Sequence, residues 1–174
     1  MTESFPHTAY IAVGSNMGNK LAWCQKGIAE LEKKGTSSVT ACSRFYRTEP
    51  VDFTDQDWFV NAVVRVSTAL NPHELLAQLN AIEFSAGRIR TRQRFGPRTL
   101  DMDIVFYDDV IMDSPNLILP HPRMHKRHFV LQPICDIDAS LVHPRLRKTV
   151  SALLNELEKT GQEIVPMAIK ENAA

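Results

Sequence analysis

The stretch from Leu100 to Phe106 constrains the fold more than any other part of the chain. It follows Gly96-Pro97, where proline fixes φ and pushes its predecessor out of the helical region, so a strand is expected soon after. The residues then read Leu-Asp-Met-Asp-Ile-Val-Phe. At period two, Leu100, Met102 and Ile104 fall on one face and Asp101 and Asp103 on the other. Neighbouring carboxylates repel and stay ionised only beneath a cation or several arginines. A hard divalent ion fits, because Mg²⁺ is usually held by one or two carboxylates together with substrate phosphates. A bare Asp-x-Asp is also what an ordinary solvated strand face carries, so its neighbours decide.

Those neighbours are basic. After Gly87, which ends a helical pattern, Arg88, Arg90, Arg92 and Arg94 occupy alternate positions, and Arg98 stands just past the Gly-Pro break. Guanidinium groups match phosphate oxygens bidentately and stay charged at any working pH. A solvated loop would account for the arginines but not for their adjacency to paired aspartates. The combination predicts a phosphate-handling site.

The rest of the chain supplies a frame for that strand. Residues 8–13 read as a buried strand and residues 21–34 as a helix ending at Gly35. Residues 38–47 and 58–66 read as two further strands. Asn71 and Pro72 read as the N-cap and N1 of a helix running to Gly87. The order β-α-β-β-α-β is the split βαβ arrangement, an α/β fold with a four-stranded antiparallel sheet, two helices on one face and the other face free to build a site. Gly14 and Gly18 do not make a P-loop and read as a tight turn. Asn61, an amide inside an apolar strand, is either a member of a structural network or a reader of a ligand's polar edge. Further on, residues 110–112 suggest a short strand. His121 and His125 are four apart, as on one helix face, but Arg123, Lys126 and Arg127 beside them favour an anion over a metal. Phe129 reads as core. Residues 150–157 form a last helix and residues 162–167 an edge strand.

With 174 residues, 44% hydrophobic and 23% charged, the chain is expected to form one domain over 1–174, with a core at about 8–145 and a C-terminal extension at 146–174. Lys+Arg and Asp+Glu balance at 20 each, so no global field favours nucleic acid or a membrane surface. Cys24, Cys42 and Cys135 show no pairing or zinc spacing, which suits a reducing cytoplasm. Neither a signal peptide nor a membrane span is evident.

Five blocks resemble the 6-hydroxymethyl-7,8-dihydropterin pyrophosphokinase family: Tyr10-Ile-Ala-Val-Gly-Ser-Asn16; Phe45-Tyr-Arg-Thr-Glu-Pro-Val51; Phe59-Val-Asn-Ala-Val63; Gly87-Arg-Ile-Arg90 with Arg94-Phe-Gly-Pro-Arg-Thr-Leu-Asp-Met-Asp103; and Pro120-His-Pro-Arg-Met-His125 through Phe129. The resemblance implies a ferredoxin-like βαββαβ core. It also implies ATP as co-substrate with two Mg²⁺, and diphosphate transfer to the hydroxymethyl group of a reduced pterin with release of AMP. By position, Asp101 and Asp103 would hold the metals. Arg88, Arg98, His121 and Arg127 would hold the triphosphate, Arg90 and Arg94 would sit on a closing loop, and Glu83 and Ile104 would lie by the nucleotide. Thr48, Val51 and Asn61 would face the pterin edge, its ring lying between Phe59 and Phe129, with Phe95 as an apolar lid. Asp52 stands where a glycine is usual. Asp103 is one candidate for the base. A monomer or weak homo-oligomer is expected. Two alternatives remain at this stage: a nucleotidyl transferase or cyclase, which also places paired aspartates on such a sheet, and an RNA-binding module, which would need exposed aromatics on its central strands.

Overall fold

The computed structural model describes residues 5–87 and 97–169. Arg88, Arg90, Arg92, Arg94 and Phe95 lie outside the described residues.

The chain opens with β1 (His7–Ser15). Asn19 caps α1 (Lys20–Glu30) by accepting the Ala22 N–H at 3.1 Å. The helix stops short of the expected boundary, because Leu31, Glu32 and Lys33 bond three residues back rather than four and wind into tighter turns. Where the sequence suggests one strand there are two, β2 (Ser37–Cys42) and β3 (Tyr46–Thr48). Ser43 causes the break. Its hydroxyl accepts the Val63 N–H at 2.9 Å in place of a backbone carbonyl and the ladder is interrupted there. Both strands pair with β4 (Phe59–Thr68). Asn71 and Glu74 then form a reciprocal capping box at 2.9 and 2.8 Å that starts α2 (Pro72–Ser85). Strand β5 (Asp101–Tyr107) follows, then a small hairpin of β6 (Met112–Asp113) and β7 (Ile118–Leu119), then α3 (His128–Asp138), α4 (Val150–Glu156) and β8 (Ile164–Pro166).

The main sheet runs β5-β1-β4-β3-β8, with β2 also on β4, and every pair is antiparallel. This is the expected split βαβ order with one added edge strand. On one face Ile11, Val13, Val64, Leu100, Met102 and Ile104 form a core with Leu75 and Leu79 of α2. Each such buried side chain contributes about 1.5–3 kcal/mol. A slip of β5 by one residue would put the aspartates into that core, so the apolar set fixes which way the acids point. The opposite face is not free as expected. Tyr10, Val63, Val105 and Phe106 pack beneath α3 and α4 against Val130, Ile134 and Val150. The register shift of β5 on β1 between Tyr10 and Ile11 lets Val105 and Phe106 both join this second core. What stays uncovered is the half carrying Ala12, Gly14, Phe59, Asn61, Asp101 and Asp103. Among the described residues no helix is long and apolar enough to cross a membrane.

Candidate active site

A cavity of about 270 Å³ occupies that uncovered half, between the sheet, the loop after β3 and the start of α3. Asp101 and Asp103 lie opposite Gly14 and Ala12 of β1 and both line it. They also line a second cleft of about 440 Å³, bounded by His73, Asn80 and Glu83 of α2 and by Asn116. The acid pair therefore stands where two clefts meet. Glu83 is buried, and its Oε1 accepts the Met102 N–H at 2.7 Å, tying α2 to the strand between the two acids.

Arg98 reaches Asp101 at 3.2 Å and lies 5.3 Å over the Phe59 ring. Its backbone is clasped by Asn16, whose Oδ1 accepts the Arg98 N–H at 2.9 Å and whose own N–H reaches the Arg98 carbonyl at 3.2 Å. The Asn16 Nδ2 donates to Gln56 Oε1 at 2.8 Å, so the same residue holds the loop after β3. Arg98 Nε is buried without a hydrogen-bond partner among the described residues, a donor for which an anion is the natural acceptor.

Arg127 lines the cavity 3.9 Å from Asp52 and 5.5 Å from the Phe129 ring. Burial lowers its pKa, and Asp103 opposes that shift most strongly. Asp52 has φ 65, a left-handed conformation that glycine adopts freely and aspartate tolerates. The loop thus keeps a glycine-like turn and gains a carboxylate beside Arg127. His121 accepts the Arg123 N–H on Nδ1 at 3.1 Å, so its neutral form carries the proton on Nε2. Burial first, then Arg127 and Arg123, push its pKa down to about 4. His125 does not share this site. Residues 124–126 form a 3₁₀ turn instead of an α-helix, so no common helical face arises, and His125 packs near the His143 ring instead.

On the other side, Asn61 Nδ2 donates to Thr48 Oγ1 at 2.7 Å, both residues being buried. Val51, Phe59 and Phe129 complete an apolar lining around this polar pair. Phe129 is thus shared between the second core and the cavity, not simply core. Gly14 is no turn residue. It lies in β1 opposite Asn61, and a Cβ there would overlap Asn61 Oδ1. Ile104 is buried in the helix-side core, so its side chain cannot touch a ligand at the acids. Gly14, Asn16, Asn80 and Asn116 escaped the sequence reading; the amides carry no periodic signal, and Gly14 sits inside an apolar run where only its partner's identity shows its purpose. Tyr10 and Phe106, the aromatics of the central strands, are buried, so the sheet offers them to no RNA base.

Among the described residues no three metal-ligating side chains converge. The acid pair offers two hard oxygen donors, which suits Mg²⁺ shared with a phosphorylated substrate better than a closed protein cage.

Residues 10–139 match the family model for 7,8-dihydro-6-hydroxymethylpterin-pyrophosphokinase. The chain is 40% identical over 157 residues to a 2-amino-4-hydroxy-6-hydroxymethyldihydropteridine pyrophosphokinase of Methylorubrum extorquens, covering 90% of this chain and 98% of that one. To the protein of the same name from Bacillus subtilis it is 43% identical over 129 residues, 74% of this chain and 77% of that one. It is also 44% identical over 135 residues to the folic acid synthesis protein fol1 of Pneumocystis carinii; the match covers 78% of this chain but only 18% of that longer protein. The fold resembles that of a Plasmodium falciparum HPPK-DHPS solved with pterin and p-hydroxybenzoate, with TM-score 0.68 at 15% identity over 90% of this chain and 44% of that one.

Proposed function

Because the chain belongs to the 7,8-dihydro-6-hydroxymethylpterin-pyrophosphokinase family, an ATP-dependent group in folate biosynthesis, we propose that its cavity takes the reduced pterin and the cleft along α2 takes the nucleotide. The observation that carries this reading is the acid pair at the junction of the two clefts, the one place where both substrates could present their reacting ends.

The hydroxymethyl oxygen attacks the β-phosphorus of ATP, the bond to the α–β bridging oxygen breaks, AMP leaves with that oxygen, and the hydroxyl proton is lost. Such transfers depend mainly on positioning and on neutralising phosphate charge. Asp101 and Asp103 are the residues that would hold Mg²⁺, whose charge, when bound, offsets that of the phosphates. Arg98 brings a buried unused N–H, Arg127 a guanidinium steadied over Phe129, and His121 a neutral Nε2–H donor; all three suit a triphosphate. Glu83 supports β5 from below instead of reaching the nucleotide directly. The roles of Arg88, Arg90, Arg94 and Phe95 rest on the resemblance alone. Thr48 and Asn61 suit the hydrogen-bonding edge of a pterin, with Val51, Phe59 and Phe129 around its ring.

The test is incubation with ATP, Mg²⁺ and 6-hydroxymethyl-7,8-dihydropterin. AMP together with a diphosphorylated pterin is expected. Pyrophosphate release would indicate nucleotidyl transfer, and ADP an ordinary kinase; either would overturn the reading.

A further inference from the structure

Two side chains at the start of α3 line the cavity, Arg127 just before the helix and Phe129 within its first turn. A helix start leaves N–H groups without intrahelical partners, and the preceding residue usually supplies an acceptor. Arg127 has only donors and makes no capping bond. The acceptor comes from 34 residues further on, where Gln162 Oε1 takes the His128 N–H at 2.9 Å. The Gln162 carbonyl lies 3.1 Å from His128 Nδ1, which makes that nitrogen the donor. Gln162 is itself fixed, its N–H reaching Lys159 O and its Nε2 donating to Glu158 O, each at 3.0 Å.

The next residue grips a different side of the same cavity. Glu163 donates its N–H to Glu49 Oε2 at 3.0 Å, and Glu49 returns its N–H to the Glu163 carbonyl at 2.8 Å. Strand β8 follows at once, with Ile164 opposite Thr48. Thr48 and Glu49 both line the cavity. Two consecutive residues therefore tie the helix bearing Phe129 to the strand bearing Thr48.

We propose that Gln162 is a positioning residue for the diphosphate transfer: by capping α3 from outside the helix it sets Phe129 and Arg127 against Thr48 and so fixes the width of the slot that takes a flat, hydrogen-bonding heterocycle. The proposal rests on the cavity being the pterin slot. Gln162→Met keeps the chain length but removes the acceptor, whereas Gln162→Glu keeps an acceptor oxygen and adds a charge that a helix start favours. Thr149→Ala is the structural control. It removes the α4 cap, where Thr149 Oγ1 accepts the Ala152 N–H at 3.1 Å, and leaves the cavity alone.

The wild type and the three variants are compared for pterin KM, ATP KM, kcat and urea midpoint. Losing one helix cap corresponds to about a five- to tenfold change in an equilibrium constant, and the pterin KM of Gln162→Met is expected to rise by that much. Gln162→Glu should bind pterin as the wild type does, and Thr149→Ala should lose stability with its pterin KM unchanged. An unchanged pterin KM in Gln162→Met, an equal rise in Thr149→Ala, or no recovery in Gln162→Glu would each overturn the proposal while the wild type still released AMP. An inactive wild type would instead overturn the underlying reading of the cavity, and the proposal with it.

Discussion

Gly14→Ala tests the most tightly defined contact in the site. Gly14 lies within β1, paired with Asn61 of β4 on one side and Asp101 of β5 on the other, so neither neighbour can move off without opening the sheet. An added Cβ would overlap Asn61 Oδ1 and stand 3.4 Å from its Cγ and 3.7 Å from the Val60 carbonyl. Relief can come in two ways. Rotating the Asn61 amide away breaks its 2.7 Å bond to Thr48 Oγ1. Both groups are then left buried without a partner, at a cost of about 1–3 kcal/mol. Spreading β1 from β4 instead is overpacking, which costs about the same. Against either, the loss of glycine's freedom in the unfolded chain returns about 0.4–1 kcal/mol. The net expectation is a loss of about 1–2 kcal/mol in urea unfolding. The functional signature is separable, because both routes displace the amide assigned to the pterin edge. Pterin KM should rise about tenfold while ATP KM holds. Gly27→Ala is the matched comparison. Its Cβ would meet Leu100 Cδ2 at 2.9 Å and Met102 Sδ at 3.4 Å, in the helix-side core, so it should lose stability without touching pterin KM. Wild-type stability and wild-type pterin KM in Gly14→Ala would refute the argument.

His121 sets a pH window. Its pKa is about 4 in the fold against an ordinary 6.5, so between those values the unfolded chain binds more protons. Stability is therefore complete above about pH 6.5 and declines as pH falls towards 4, by about 3 kcal/mol from this residue. Urea unfolding at about pH 7 and pH 4.5 should show a smaller loss in His121→Gln than in the wild type; equal losses would remove His121 from the account. Asn71→Ala removes half of the α2 capping box and should cost about 1 kcal/mol in the same assay, with kcat unchanged; a lowered kcat would mean that α2 is more than a support for the second cleft.

Periodicity carried the frame. The alternation from Leu100 to Ile104 told which face of β5 would be buried because half of that strand is apolar and half acidic, and Asn71-Pro72 marked a helix start through local chemistry alone. Features made by long-range partners were not legible. The break between β2 and β3 depends on Ser43 meeting Val63, and no residue within 38–47 announces it. The covering of half the site face by α3 and α4 could not be read either, since an apolar strand looks alike whether its second face meets a helix or a ligand. The four-residue spacing of His121 and His125 misled because it has meaning only on an α-helix, and the chain there makes a 3₁₀ turn. Ile104 was drawn to the nucleotide by resemblance, while its alternation with Asp103 already placed it on the opposite face.

Paired aspartates on one strand face looked intolerable without a metal, yet the protein supplies part of the answer itself. Arg98 lies 3.2 Å from Asp101, and Arg127 lies 3.9 Å from Asp52 and within the field of Asp103. The site's own cations thus sit on its own anions. A triphosphate arriving alone must pull arginines away from carboxylates, whereas one arriving with a divalent cation lets each group exchange one partner for another of the same sign. Affinity for nucleotide and affinity for metal are therefore coupled through Arg98. Asp101→Asn separates them, since an amide releases Arg98 and no longer offers a charged ligand. Binding of a non-hydrolysable ATP analogue without divalent cation should strengthen about fivefold, the equivalent of one half-buried ion pair. In the presence of Mg²⁺ the order should invert, and turnover should fall by roughly 10²-fold or more. Titration calorimetry with and without Mg²⁺ reads both signs. If the variant bound the analogue more weakly under both conditions, Asp101 would not be competing with phosphate for Arg98.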